Sequence, residues 1–475
     1  MVSMPTLKTV TLGCKVNQYE TQWVREALAR LGYEDSPDAR PADLCVVNTC
    51  TVTAEADRKS RKLIRQMARE NPGTRIVVMG CYATRRPEEA AALPGVCEVI
   101  TDKRRLPEWL ARLGLHELPT GVTSFDGRSR AYVKIQDGCR MECAYCVIPR
   151  TRPVLESRPI PHVLDEIRRL VDAGYREIVL TGIHLGYYGV DLVEEDDRLL
   201  TRKPSRDREG AVFECNKVQP LPHGRGSVLE SRGSEHIVNF GEYATSSSPP
   251  TLASLLREIA QLDGAFRVRI SSMEAAEVTD ELLDVMAEHP ERICPHLHVS
   301  MQSGSDDVLR RMRRHYTSGQ FIERCERIKR RLDRPGLTTD VIVGFPGETE
   351  ADFEATCRVV RQVGFSKIHV FRFSPRPGTA AEKMPDPVPG EVQQRRSMRL
   401  ARIEQDLRTA YFEGLLGEPL WVLVESIAVD RSGYLLGTSA RYVPVVLPGG
   451  ADRVGQLVRA TAQSVENGQI WAEPT

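Results

Sequence analysis

Within the stretch "GCRMECAYCVIPR" three cysteines, Cys139, Cys143 and Cys146, follow the spacing C-x3-C-x2-C with no fourth cysteine nearby. Zinc closes a structural site with four ligands, and a catalytic zinc recruits histidine or carboxylate. The nearest histidine in sequence is His162. Iron–sulfur clusters take thiolates as their normal ligands. Three thiolates on a four-iron cluster leave one iron open, and that iron can chelate a small molecule. A second set is dispersed: Cys14, Cys50 and Cys81 close the strand-like stretches "KTVTLGC", "LCVVNTC" and "RIVVMGC". One such cysteine is ordinary, because a free thiol packs as a small apolar group. Three in successive units point to a shared site, since ligands of open α/β sheets bind outside the carboxyl ends of the strands. Cys45 and Cys97, within or at the start of strands, read as core, and Cys215 as incidental.

The elements that must position these residues form two βα series. In the first, each strand is followed by a helical pattern: "YETQWVREALARLG" ending at Gly32, "AEADRKSRKLIRQMARE", and a helix from about Pro87. Such alternation predicts a parallel sheet with helices on both faces. The second series has the strands "AYVKIQ", "EIVLTG", "RVRISS", "HLHVSM", "TTDVIVG" and "KIHVFRF". Six strands with intervening helices predict an incomplete parallel barrel, with the cysteine triplet after its first strand, on the face where such barrels carry active sites. A basic helix then leads to short strands from "LWVLVES" to "IWAE", which read as a small all-β barrel. Residues 191–250 are polar, rich in Gly, Pro and Ser and without period, the mark of a disordered or loosely held insertion.

The chain has 475 residues, more than one core usually serves. It is 41% hydrophobic and 27% charged, with no apolar run long enough for a membrane span and no secretory signal at "MVSMPTLKTV". These features place the protein in the cytosol, where its 12 cysteines read as metal-binding or catalytic rather than disulfide-bonded. Net charge is zero, so any nucleic-acid affinity must come from local basic clusters such as "RRMRRH", "RCERIKRRLDR" and "RRSMRLAR".

The triplet after the first strand of a parallel barrel resembles the radical S-adenosylmethionine superfamily. Further motifs, "TLGCKVNQYET", "VVNTCTVT", "MGCYA", "SMQSGSDDVLRRMRR" and "DVIVGFPGETEADF", resemble the methylthiotransferases within it. "LGCKVNQYET" is similar to the branch acting on N6-threonylcarbamoyladenosine 37 of tRNA. Other branches act on isopentenyladenosine 37 or on a ribosomal-protein side chain. A reading of a different class is a metal-stabilised RNA-binding protein without catalysis.

The resemblance implies an α/β chain of three parts: an N-terminal methylthiotransferase domain over 5–120, a radical barrel over 125–388, and an RNA-binding TRAM barrel over 410–475. It implies two [4Fe-4S] clusters, one on Cys139, Cys143 and Cys146, and an auxiliary one on Cys14, Cys50 and Cys81. The first cluster's open iron would bind S-adenosylmethionine and cleave it to a 5′-deoxyadenosyl radical. A second S-adenosylmethionine would methylate the sulfur carried by the auxiliary cluster. The C2–H bond of adenine resists acid–base chemistry, which accounts for the cofactor radical. Tyr145 would lie near the adenine of S-adenosylmethionine, with Ser272, Glu274, Gln302 and Ser303 contributing from the rim and Asn17 orienting the auxiliary site. The implied partners are a tRNA anticodon loop, an electron donor and a sulfur source. Two positions depart from the family pattern, Pro153 where glycine is common and Phe373 where tyrosine is frequent.

Overall fold

The computed structural model describes residues 4–36, 41–125, 127–192, 249–429 and 431–475. Most of the expected 191–250 insertion, with Cys215, lies outside the described residues. Asp191, at its near edge, accepts hydrogen bonds from the Ser157 amide and hydroxyl at 2.7 and 2.6 Å.

Strands β1 (Thr6–Thr11), β2 (Glu34–Asp35), β3 (Leu44–Thr49), β4 (Arg75–Gly80) and β5 (Val96–Val99) form a parallel sheet in the order β2-β1-β3-β4-β5. Successive side chains alternate across a strand, so Leu44 and Val46 join the core on one face while Cys45 and Val47 join the core on the other. The strand order reverses between β1 and β3, and the crevice at such a point is where open sheets bind ligands. Cys14 and Cys50 lie at that end.

The second unit contains β6 (Arg130–Asp137), β7 (Glu156–Ser157), β8 (Glu177–Gly182), β9 (Arg267–Ile270), β10 (Ser272–Met273), β11 (His296–Val299), β12 (Gly336–Val343) and β13 (Lys367–Arg372). β6, β8 and β9 run parallel, as do β10 to β13. Only Ser271 separates β9 from β10, and a parallel bridge between Val268 and Ile293 carries the pairing across. The result is the open, six-stranded half-barrel expected. Ile178, Leu180, Val268 and Ile270 face outward into a large apolar core shared with the covering helices.

Helix Gly390–Glu413 runs along β13 to a closed barrel of β14 (Pro419–Ile427), β15 (Tyr434–Ser439), β16 (Pro444–Pro448), β17 (Leu457–Glu466) and β18 (Gln469–Pro474). This barrel covers the amino-terminal end of the half-barrel, opposite the cysteine rim. Arg267 donates to the carbonyls of Trp421 and Thr438 at 2.7 and 2.9 Å, and Arg269 to those of Ala440 and Ser439 at 2.9 and 3.1 Å. Among the described residues, no helix is long and apolar enough to cross a membrane.

Candidate functional site

The triplet loop leaves β6 through Gly138, whose φ is +81°, and a Cβ there would collide with the Val154 carbonyl. Only glycine allows both the conformation and that approach. The Cys139 amide donates to the Arg152 carbonyl at 3.1 Å, the Cys146 amide to that of Cys143 at 3.0 Å, and the Ala144 amide to that of Met312 at 2.9 Å. The loop is therefore closed on itself by one turn and tied to two neighbouring segments. All three cysteines border a cavity of about 670 Å³ that also takes in Pro153 and the basic side chains of Arg140, Arg150, Arg313 and Lys383. A cleft of similar size, about 690 Å³, lies under the C-terminal barrel, away from the cysteines.

The fold brings groups to the triplet that sequence spacing did not reveal. Arg314 donates to the Cys143 sulfur at 3.2 Å and to the Tyr145 hydroxyl at 3.5 Å, and pairs with Glu274. It belongs to "RRMRRH", one of the basic clusters offered by the sequence for nucleic-acid affinity, yet it is buried. His184, from β8's following loop, sets Nδ1 at 3.7 Å from the Cys139 sulfur and Nε2 against Glu277. Burial works against the His184 proton, but the bonds to Cys139 and Glu277 outweigh it and hold its pKa up at about 9. Its backbone amide is held by Gln136 Oε1 at 2.8 Å. Glu274 and Glu277 belong to one short 3-10 turn, so a single turn reaches Cys143 through Arg314 and Cys139 through His184.

The other rim residues divide. Tyr145 packs beside Ala144, Val308, Met312 and Phe345, and burial raises its phenol well above the usual value. Ser272 is exposed on β10. Gln302 has φ of +62°, a left-handed conformation that costs about 1 kcal/mol or more in a non-glycine residue. Two backbone bonds of 2.9 Å, to the Asp340 carbonyl and from the Ile342 amide, hold it there. The Ser303 hydroxyl turns inward, 3.4 Å from Thr356 Oγ1, and accepts from the Ser305 amide at 3.2 Å. Phe373 stacks edge-on against Phe345 with ring centres 5.3 Å apart.

The second set gathers at the N-terminal sheet's rim. Cys14 caps helix Lys15–Arg30 and Cys81 opens helix Cys81–Arg85, one step past the strand that the sequence pattern ran into it. A Cβ on Gly13 would stand 3.0 Å from Cys50 Cβ, which places the Cys14 and Cys50 loops against each other. Cys14 is open to solvent yet lies deep within surrounding protein, as a side chain lining a crevice does, and that burial raises its pKa, against the pull of Arg152. Burial pushes the Cys50 thiol up to about 11, with Cys81 and Cys14 adding to the shift. Asn17 ties the rim together, donating to the Leu12 and Thr49 carbonyls at 2.9 and 3.1 Å.

Arg152 joins the two sets. Its carbonyl accepts from Cys139, while its guanidinium donates to Asn17 Oδ1 at 2.9 Å and to Glu20 at 2.9 and 3.0 Å, and also to Asp137 at 2.7 Å. Helix Cys81–Arg85 packs on the turn Ile148–Thr151 that follows Cys146. Beyond them Arg376, from the segment after β13, bonds Thr51 at 3.1 Å and pairs with Asp57.

The donor set fits iron–sulfur clusters. Each group offers three thiols, with cationic or N–H neighbours suited to a thiolate-bound, anionic centre: Arg314 and the Met141 amide (3.4 Å from Cys139 sulfur) at one, Arg152 at the other. Among the described residues no three His, Cys, Asp or Glu side chains are gathered as a single metal ion needs. A cluster, whose irons each take one thiolate, asks for wider spacing.

Comparison with known proteins matches two stretches of the chain to families. Residues 6–102 match the family model described as uncharacterized protein family UPF0004, and 133–360 match the radical SAM superfamily. The threonylcarbamoyladenosine tRNA methylthiotransferase MtaB of Bacillus subtilis is 35% identical over 476 residues, covering 96% of this chain and 93% of that protein. The protein of the same name from Chlamydia pneumoniae is 36% identical, covering 98% of both. This chain belongs to the methylthiotransferase family of radical SAM enzymes. A further relative of this methylthiotransferase, the tRNA-2-methylthio-N(6)-dimethylallyladenosine synthase of Aquifex aeolicus, is 31% identical over 94% of each chain. Its fold is shared with the radical S-adenosylmethionine methyltransferase TsrM of Kitasatospora setae, solved with tryptophan and a SAM analogue. The TM-score is 0.50 at 13% identity, covering 78% of this chain and 73% of that one.

Proposed function

We propose that this methylthiotransferase inserts a methylthio group at C2 of N6-threonylcarbamoyladenosine 37 in tRNA. The observation that carries the reading is the bridge through Arg152, whose carbonyl accepts from the Cys139 amide while its guanidinium bonds Asn17 in the helix that Cys14 opens. Sulfur insertion requires the radical source and the sulfur carrier to reach one base, and proximity of this kind is a main source of catalytic rate. Near full-length likeness to proteins named for threonylcarbamoyladenosine supports the choice of base.

Cys139, Cys143 and Cys146 would hold the radical-generating cluster, and Cys14, Cys50 and Cys81 the auxiliary one. When bound, the clusters and two molecules of S-adenosylmethionine per turnover supply the electron, radical, methyl group and sulfur. The chain's own residues then have defined tasks. Arg314 and His184 orient Cys143 and Cys139, Tyr145 flanks the adenine position, and Ser272, Glu274 and Gln302 line the rim. Arg140, Arg150, Arg313 and Lys383 beside the triplet attract RNA phosphates, and the target base leaves its stack to enter the site. The C-terminal barrel grips the RNA farther along its arm. The parts divide at 5–120, 125–388 and 410–475, and the enzyme works in the cytoplasm with a low-potential one-electron donor and a sulfide-yielding partner.

The test is anaerobic reconstitution with an anticodon hairpin carrying the modified base. About eight irons per chain, 5′-deoxyadenosine and a methylthiolated hairpin are expected. Bound zinc without visible absorbance would contradict the reading.

A further inference from the structure

A second tether joins the two cysteine groups, through other members of each. Thr51, the residue after Cys50, is buried. Its hydroxyl donates to Asp57, near the start of helix Ala54–Glu70, and accepts from Arg85 and from Arg376, each at 3.1 Å. The Asp57 carboxylate pairs in turn with Arg376, and with Arg85 at 3.4 Å. Ser60 of the same helix accepts from the Cys50 amide at 3.3 Å and donates to the Cys50 carbonyl at 3.0 Å. The Cys50 loop is thus bound to one helix, and Arg376, reaching over from the segment after β13, holds both.

The far end of this tether reaches the triplet. The Arg376 carbonyl accepts from the Thr379 amide at 3.0 Å and from its hydroxyl at 2.7 Å, closing a turn. Gly378, Thr379 and Ala380 border the triplet cavity. The Ala381 amide then donates at 2.8 Å to the carbonyl of Ala144, the neighbour of Cys143. Two further links run alongside: the Ala54 amide bonds the Ser374 hydroxyl at 3.2 Å, and Arg85 bonds the Pro377 carbonyl at 3.1 Å. The Arg376 side chain is 3% exposed and that of Asp57 14%, so water competes little for the pair.

We propose that Arg376 and Asp57 are a positioning pair that sets the gap between the two cysteine groups, and with it the transfer of sulfur to the base. This rests on the reaction proposed above. The Arg152 bridge and the packing of helix Lys15–Arg30 on β6 hold the Cys14 side of the N-terminal sheet. Without a grip on the Cys50 side, the sheet can tilt on that contact and change the gap. Cleavage of S-adenosylmethionine uses the triplet alone and does not sense the gap. Insertion needs both groups at one base, and a misplacement of about 1 Å costs up to about a hundredfold in such a step. A buried ion pair adds little net stability over apolar packing, but its directed bonds select one arrangement.

The test compares reconstituted wild type, Arg376→Met, Arg376→Lys and Asp57→Asn on an anticodon hairpin carrying threonylcarbamoyladenosine. Iron per chain, 5′-deoxyadenosine and methylthio product are measured on each preparation. With iron at about eight per chain, Arg376→Met should yield about tenfold less methylthio product per 5′-deoxyadenosine than wild type. Asp57→Asn should fall in the same direction, and Arg376→Lys, which keeps a cation for Asp57, should recover part of the ratio. An unchanged ratio in Arg376→Met overturns the proposal. So does a ratio that falls only as iron is lost, because the pair then retains the auxiliary cluster rather than spacing it. If Arg376→Met does not fold, Arg376→Lys decides: a lowered melting temperature with the wild-type ratio assigns the contact to stability alone. A wild type that cleaves S-adenosylmethionine and leaves the hairpin unmodified contradicts the proposed reaction instead, and does so before any variant is compared.

Discussion

Arg314 points its guanidinium at the sulfur of Cys143, 3.2 Å away, while pairing on its other side with Glu274. The contact joins the segment after β11 to the triplet loop. A hydrogen bond from a cation to a ligating sulfur raises the potential of an iron–sulfur centre. Arg314→Ala is expected to shift the triplet cluster's reduction potential to more negative values, read by EPR-monitored redox titration. It also leaves the Glu274 carboxylate without its partner, a loss of about 3 kcal/mol in stability. Arg314→Lys keeps charge but not the fork, and its potential should lie between the two.

The two cysteine groups should be separable. Cys139→Ala is expected to abolish S-adenosylmethionine cleavage and to lower the iron content by about half, to about four per chain. Cys50→Ala should lose a similar amount of iron while 5′-deoxyadenosine still forms and no methylthio product appears. Iron assay and product chromatography on the two reconstituted variants check both statements. Loss of S-adenosylmethionine cleavage in the well-folded Cys50 variant would contradict the division of labour.

Glu20 gives a pH signature. Burial alone would raise its pKa, but Arg152, Lys103 and Lys134 outweigh it and bring it down to about 2, from 4.5. The folded state therefore favours the carboxylate. Its contribution is present in full above about pH 4.5 and is lost as the pH falls toward 2. At pH 7, Glu20→Gln should cost about 3 kcal/mol, because Lys103 loses its carboxylate partner and Arg152 and Lys134 are left to share Asp137. Thermal melts of the cluster-free protein should show the gap to wild type narrowing between pH 5 and pH 3. A gap that stays constant across that window counts against the network.

Gly138→Ala tests the geometry that opens the triplet loop. The added Cβ meets the Val154 carbonyl at a φ of +81°. Backbone strain of this kind costs about 1–3 kcal/mol before any steric shift. The expected result is a lower melting temperature together with reduced iron at the triplet, seen as a weaker S-adenosylmethionine-dependent EPR change.

Much of the fold can be read from the chain. The cysteines mark strand ends, and six apolar runs mark the half-barrel, because both follow local period. The helix after Cys14 begins at Lys15 rather than near Tyr19, since "KVNQ" has no apolar period. Its Asn17 is buried by bonds to Leu12 and Thr49 that only the folded sheet supplies. His184 and Arg314 are 38 and more residues from the nearest triplet cysteine in sequence, so spacing could not connect them with it. The histidine beside the triplet is His184 and not His162, the nearest in sequence. The seat of the C-terminal barrel, on Arg267 and Arg269, was equally hidden, because "RVRI" reads as an ordinary alternating strand.

The central claim is the reaction on one base of tRNA. Mass spectrometry of nucleosides from cells lacking this gene, with and without the protein restored, measures it directly. The account predicts that 2-methylthio-N6-threonylcarbamoyladenosine appears only on restoration, and that restoration with a Cys139→Ala chain leaves it absent. A response confined to methylthio-isopentenyladenosine, or no change in any tRNA nucleoside, would contradict it.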